Sequence, residues 1–497
     1  MEPLGTITMY FPFVDDETRL IMESIMDAAY NYHDFVCRLV ERVCTEKSSD
    51  DLVHLAAIHN AYLSNFKIHK QLNGMHANTT IARPYLLIYN AFYDEDPSLF
   101  DVAKEDIEQI LSSSPDEFIA YQMYDCAGHI GRLTAPRDSY EIQALEKMEN
   151  LVKANEAFSC FKSNVLEHKA WQYERNDPKE AIRFYELAYE VAMEHDDQVN
   201  AATQLSAMAF SVKNFDTAKA LRLISKSETL SRSQGHSYSI ADMQNLKGIV
   251  HSSRGEFSAS VESYQECIRL HERMGSPTMS VLPFNLASTY NEMGLGEEAL
   301  EWAMMAIDTL KSHPSHLPLA YFAVARALVN LGRLKEAREY LDEAQEMGLK
   351  IADEIFLQKG YIISGQLEMA EGRHLDALHS FERAFEICER TGRQSRLNSS
   401  LLRLTECELA LFENNKDTQF DETSGPWMDR LERETNEKDI PGIQGRMLLL
   451  KAELRLKQGR KDDAALLLSK VIELAENPEM SYLRERAESL RSLASVL

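Results

Sequence analysis

Asn-Leu-Ala-Ser-Thr-Tyr-Asn-Glu-Met-Gly-Leu-Gly-Glu-Glu-Ala-Leu, residues 285–300, sets Ala287, Gly294 seven positions later and Ala299 five beyond that. Ala303 and Ala306 follow at helical spacing. Working outward, the same register recurs as Gly248, Gly255, Ser260, Tyr264, Cys267 and as Ala325, Gly332, Ala337, Leu341, Ala344. It returns as Gly365, Gly372, Ala377, Phe381, Ala384 and, after a gap, as Ala452, Gly459, Ala464, Leu468, Val471. A period of this length is the mark of a repeat architecture, in which no unit buries its apolar face alone and stacked neighbours complete the core.

The spacing describes a helical hairpin. Each central glycine lies between two amphipathic stretches, where it can adopt the left-handed conformation that ends a helix. Small residues on either side let two helices approach, and one bulky residue fills the gap between them. Diverged copies extend the pattern: Ala170, Ala181, Tyr185 and Ala188 around Asn176-Asp177-Pro178, then Ser206 and Ala218 around Asn214-Phe215.

These residues resemble the tetratricopeptide repeat (TPR), and residues 285–300 come close to its pattern. Gly255, Gly294, Gly332 and Gly372 step by 39, 38 and 40 residues, longer than the usual repeat of about 34. The lengthened form is similar to the arrays of MalT-type activators, kinesin light chains and bacterial peptide-sensing regulators. The resemblance implies an all-α, right-handed α-solenoid of roughly seven recognisable hairpins. It also implies that the first helix of each hairpin lines a concave face where a peptide or partner protein docks.

Three regions are expected: a helical N-terminal region over 1–160, either diverged hairpins or a separate domain; the array over 161–479; and a capping helix over 480–497. Within the array, the polar stretch of about 414–426 reads as an irregular insertion. In the N-terminal region, Thr18–Cys44, Leu52–Leu72, Pro84–Tyr93, Val102–Leu111 and Glu117–Ile130 read as helices, and the run from Thr6 to Phe11 as extended chain.

Composition narrows the function. The net charge of −26, with basic residues mostly beside acidic ones, opposes direct nucleic-acid binding. Seven cysteines without paired spacing fit a reducing compartment, hence a cytoplasmic location. No run of about 18 apolar residues predicts membrane insertion. The sequence holds no P-loop, dinucleotide fingerprint, His-Glu-x-x-His pair or Gly-x-Ser-x-Gly elbow, so no enzyme, metal or cofactor is expected.

Binding is the function left. Residues 280–291 carry no charge and 316–331 only Arg326, in a chain with 27% charged residues. A charge-poor wall with a few amides suits an extended peptide, because an amide both donates and accepts. Asn245, Asn285, Arg326, Lys359, Gln366 and Arg403 are the candidate inner-face residues, the cations among them pointing to a carboxylate on the ligand. The expected protein is a scaffold or adaptor for a peptide or protein partner, the alternative being a regulatory sensor whose groove closes on its ligand. Self-association is left open.

Overall fold

In the computed structural model, the residues described are 98–496, except 114, 116, 134–138, 175–176, 234–236, 274–280, 312–315, 352–353, 392–393, 415–424, 439 and 477–479. The readings made for the first 97 residues, for Asn176 and for most of the insertion lie outside them.

All five register glycines have positive φ: Gly255 at 74°, Gly294 at 79°, Gly332 at 73°, Gly372 at 78° and Gly459 at 72°. A Cβ makes this region costly, which is why glycine stands at each turn. The same pair of bonds closes every turn. At Gly294 its own N–H donates to the Asn291 carbonyl, and the Leu295 N–H donates to the Tyr290 carbonyl at 3.0 Å. Arg333, Arg373, Arg460 and Glu256 donate in the equivalent way to Leu328, Glu368, Arg455 and His251. This is the Schellman pattern, which satisfies carbonyls that the helix end would leave without partners.

The helices run in chain order. First come α1 (Ser98–Ser112), α2 (Glu117–Leu133), α3 (Ser139–Ala154), α4 (Lys162–Tyr173), α5 (Pro178–Glu194), α6 (Gln198–Val212) and α7 (Thr217–Ser233). Then come α8 (Ser237–Arg254), α9 (Phe257–Arg273), α10 (Leu282–Met293), α11 (Gly296–Leu310), α12 (Leu317–Asn330), α13 (Leu334–Ile351) and α14 (Glu354–Ala370). The last are α15 (His374–Thr391), α16 (Gln394–Asn414), α17 (Pro426–Lys438), α18 (Pro441–Lys457), α19 (Lys461–Leu474) and α20 (Ser481–Val496). No strand occurs among the described residues. The architecture is an all-α, TPR-like solenoid.

Packing follows the register. Ala287, Ala299, Ala303, Ala306, Ala325, Ala337, Ala344, Ala377, Ala384, Ala452 and Ala464 are all fully buried. A Cβ on Gly248 would stand 2.5 Å from the Tyr264 ring, and one on Gly365 would stand 2.5 Å from the Phe381 ring, so bulky residue and glycine are matched. The charge-poor helices α10 and α12 owe that composition largely to burial, since Leu282, Phe284, Leu286, Phe322, Val324 and Leu328 are all core. One diverged copy sits two positions from its predicted register. Ala218 is exposed, while Ala220, Ile224 and Ser227 are buried.

The chain forms two compact units. Unit 1 comprises residues up to 213 together with 218–244 and 267–278; unit 2 comprises 214–217, 245–266 and 279–497. In unit 1, α1 and α2 share a core of Phe100, Ile107, Met123 and Ile130, so the described part of the N-terminal region is built from packed helices. Unit 2 ends with α20, whose Leu483 and Ala487 complete a cluster with Leu449, Leu468 and Val471.

Unit 2 also brings its beginning against its end. A Cβ on Gly442, at the start of α18, would lie 2.4 Å from the Arg254 carbonyl oxygen and 2.5 Å from Gly255, so two glycine backbones press together. The Tyr482 hydroxyl of α20 donates to the Gly255 carbonyl at 2.8 Å, and the Tyr482 and Phe257 ring centroids stand 5.0 Å apart.

Candidate functional site in unit 2

Charges inside an apolar helix must find partners, because desolvating them alone is costly. α10 carries a single acidic residue, Glu292, and three later helices of unit 2 each aim an arginine at it. Arg326 of α12 donates from Nη1 to Glu292 Oε1 at 2.7 Å. Arg403 of α16 donates from Nη2 to Oε2 at 2.9 Å, and Arg446 of α18 donates from Nη1 to Oε2 at 3.2 Å. Glu406 accepts from the other end of Arg403 at 2.6 Å and stands 3.8 Å from Arg446 Nη2. Three cations and two anions leave this cluster one positive charge in excess.

Burial by itself would raise the Glu292 carboxyl, but the Arg326, Arg403 and Arg446 guanidiniums outweigh it and hold it well below the usual carboxylate range. Glu406 is lowered in the same way, by Arg403 and Arg446 against its burial. The arginines differ among themselves. Burial would lower Arg403, yet Glu406 and Glu292 together raise it. At Arg326 burial prevails and the guanidinium lies below its ordinary value, with Glu292 as its principal compensation. Consistent with that, Nε and Nη2 of Arg326 are buried with no hydrogen-bond partner, and so is Nε of Arg403.

A cavity of about 290 Å³ lies beside the cluster. Phe257, Phe284 and Phe322 supply apolar wall, and Asn285, Asn291, Arg326, Gln358, Lys359 and Arg446 supply polar groups. A second cavity of about 340 Å³ is lined by Glu292, Glu406, Arg446, Glu453, Tyr482 and Glu485, among others, so Glu292 and Arg446 border both.

Of the six candidate residues, Asn285, Arg326 and Lys359 meet in the smaller cavity. Asn245 joins them indirectly, its Oδ1 accepting from Asn285 Nδ2 at 3.1 Å. The Lys359 ammonium lies 5.0 Å from the Phe284 ring centroid, a cation–π distance. Arg403 belongs to the charged cluster rather than to an open wall. Gln366 is not among the residues lining the smaller cavity, and its Oε1 is buried without a partner. Glu292, Arg446 and Glu406 escaped the sequence reading. Their signal was present: in an apolar helix a solitary charge demands an opposite one, and α10 and α12 each have one charged residue.

The repeated hairpins, their glycine turns and the matched small and bulky residues define a tetratricopeptide-type protein. The chain belongs to the family of MalT-like TPR regions, whose model matches residues 218–495, more than half of its length. No curated protein matches it in sequence. Among solved structures it is similar to the apo form of the quorum sensor NprR from B. thuringiensis, with 16% identity over 74% of this chain and 100% of that one, and a TM-score of 0.47. It is also similar to aspartyl phosphate phosphatase F from Bacillus subtilis, with 13% identity over 80% of this chain and 94% of that one, and a TM-score of 0.45. Yeast Tom70 aligns with 97% of this chain and 96% of its own at 12% identity, with a TM-score of 0.35. No helix among the described residues is long and apolar enough to cross a membrane.

Proposed function

We propose that unit 2 is a non-catalytic binding module, a scaffold or adaptor that holds a carboxylate-bearing peptide or protein segment in the cavity beside Arg326. The observation that carries this reading is the bare edge of Arg326. Nε–H and Nη2–H lie side by side in the guanidinium plane, forming the fork that a carboxylate takes in bidentate fashion. Both are buried and unpartnered, which costs about 1–3 kcal/mol while no acceptor is present. Lys359 and Arg446 add two further cations on the cavity wall, and the phenylalanines give an apolar body somewhere to rest. Asn285 adds an amide oxygen to the cavity wall, its Nδ2 being used on Asn245, whereas both ends of the Asn291 amide are engaged by Ala323 and Asn330.

The test is Arg326→Lys, which keeps the charge and removes the fork. Affinity capture from native extract with the wild-type chain, read by quantitative mass spectrometry, should yield a partner whose recovery falls about tenfold or more with the variant. Equal recovery by both proteins moves the site away from Arg326.

A regulatory variant of the same reading is favoured by Glu292, a carboxylate of the chain itself that already occupies three guanidiniums. An entering carboxylate would change how α10, α12, α16 and α18 are tied, and so shift unit 2 between two arrangements. Small-angle scattering of the chain with and without the captured partner's peptide separates the two: compaction supports a sensor, an unchanged profile a rigid scaffold.

A further inference from the structure

We propose that Asp125, His129 and His168 in unit 1 form a binding site for a divalent transition-metal ion of the zinc class. Asp125 and His129 are one turn apart on α2, so both side chains leave the same face of the helix. His168 comes from α4 and reaches them across the helix pair. Its Nε2 lies 2.9 Å from Asp125 Oδ1, while the second carboxylate oxygen, Oδ2, faces His129 Nε2 at 3.8 Å. The first distance is a hydrogen bond, whose proton a metal ion would displace to solvent on binding His168 Nε2. The second is too long for one and about 0.5 Å wider than the roughly 3.3 Å between two donors around an ion with bonds of about 2.0–2.1 Å, so His129 would close in slightly on the ion. All three ligand atoms lie within 4.8 Å of one another.

The surroundings hold this arrangement. A Cβ on Gly128 would come within 2.4 Å of His168 Nδ1, so the glycine is what lets the ring lie against α2, with Nε2 2.9 Å from the carboxylate. Trp171 backs the ring at 4.2 Å between centroids. The His168 side chain is 2% exposed and that of Asp125 11%, whereas that of His129 is 34% exposed. The cluster is therefore closed on one side and open to water at His129, which gives an ion an entry path and a remaining position for water. Two imidazoles and one carboxylate favour zinc, cobalt, nickel or iron(II) over calcium or magnesium, which take oxygen sets.

The experiment is titration of the full metal-free chain with Co²⁺, followed by Zn²⁺ competition. One equivalent should bind, with the ligand-field absorption of a nitrogen and oxygen set that Zn²⁺ abolishes. His129→Ala should weaken binding about tenfold or more and abolish the Zn²⁺-dependent rise in melting temperature. Because the His129 ring also packs on Trp171, the Zn²⁺-dependent rise is read against each variant's own metal-free melt; Asp125→Asn provides a second variant with the same expected loss of affinity. Undiminished binding by His129→Ala, a thiolate charge-transfer band or no saturable binding overturns the proposal.

Discussion

Replacing Glu292 by Gln keeps the shape of the side chain and removes one charge from the centre of the arginine cluster. The change raises the excess from one positive charge to two. It leaves Arg326 without a carboxylate at 2.7 Å and turns the amide NH₂ toward guanidinium donors. Breaking a buried ion pair from one side costs about 3–5 kcal/mol. The side chains here are 12–16% exposed, which puts the loss near the lower figure, about 3 kcal/mol. For an array of this size that lowers the melting temperature by about 6–12 °C. The assay is thermal unfolding by circular dichroism near neutral pH, at low salt and in 1 M NaCl. Salt screens exposed pairs far more than buried ones, so the drop should survive it. A fall under about 2 °C, or one that salt removes, refutes the argument that this carboxylate ties α10 to three later helices. The acid limb provides an internal check. Glu292 is held well below its ordinary 4.5, so its stabilisation is complete above that pH and is lost as pH falls through the folded value. Glu292→Gln should flatten this part of the pH profile.

Two other substitutions test separate parts of the structure. Asp242 has no partner for its Oδ1, and burial pushes its carboxyl up to about 7 from 3.8. The unfolded chain therefore ionises first as pH rises, stability falls between those values, and Asp242→Asn should melt higher than the wild type at pH 8 with the gap closing toward pH 4. At the repeat turns, Gly294→Ala meets no atom within 4 Å and suffers only the left-handed backbone, about 1–2 kcal/mol. Gly365→Ala drives a methyl into Phe381 and should cost more, about 1–3 kcal/mol. Urea midpoints would rank the two, and Phe381→Leu should recover part of the second loss and none of the first.

The hairpins were legible because their signals are local. Gly294 and its four counterparts mark turns through backbone geometry alone, and Ala287, Ala299 and Ala303 mark close approach within one hairpin. The diverged copy near Ala218 slipped by two positions because its turn, Asn214-Phe215, has no glycine to fix the register. The charged cluster was half legible. Arg326 and Arg403 stood out as inner cations, but Glu292 and Arg446 are 154 positions apart and only the superhelical path of unit 2 brings them together. Asp125 and His168 are 43 positions apart in the same way, outside any spacing that a metal motif would show.

The seam between Gly255 and Gly442 bears on how this array can change over generations. An open solenoid tolerates gain or loss of a repeat, since each copy touches only its neighbours. In unit 2 the Tyr482 hydroxyl must reach the Gly255 carbonyl, and the two glycine backbones must meet. Inserting or deleting one hairpin between them would carry α18 and α20 past that meeting point and open the ring of contacts. Adding or removing one hairpin between Gly255 and Gly442 would thus cost this array its seam, a loss that an open solenoid does not suffer.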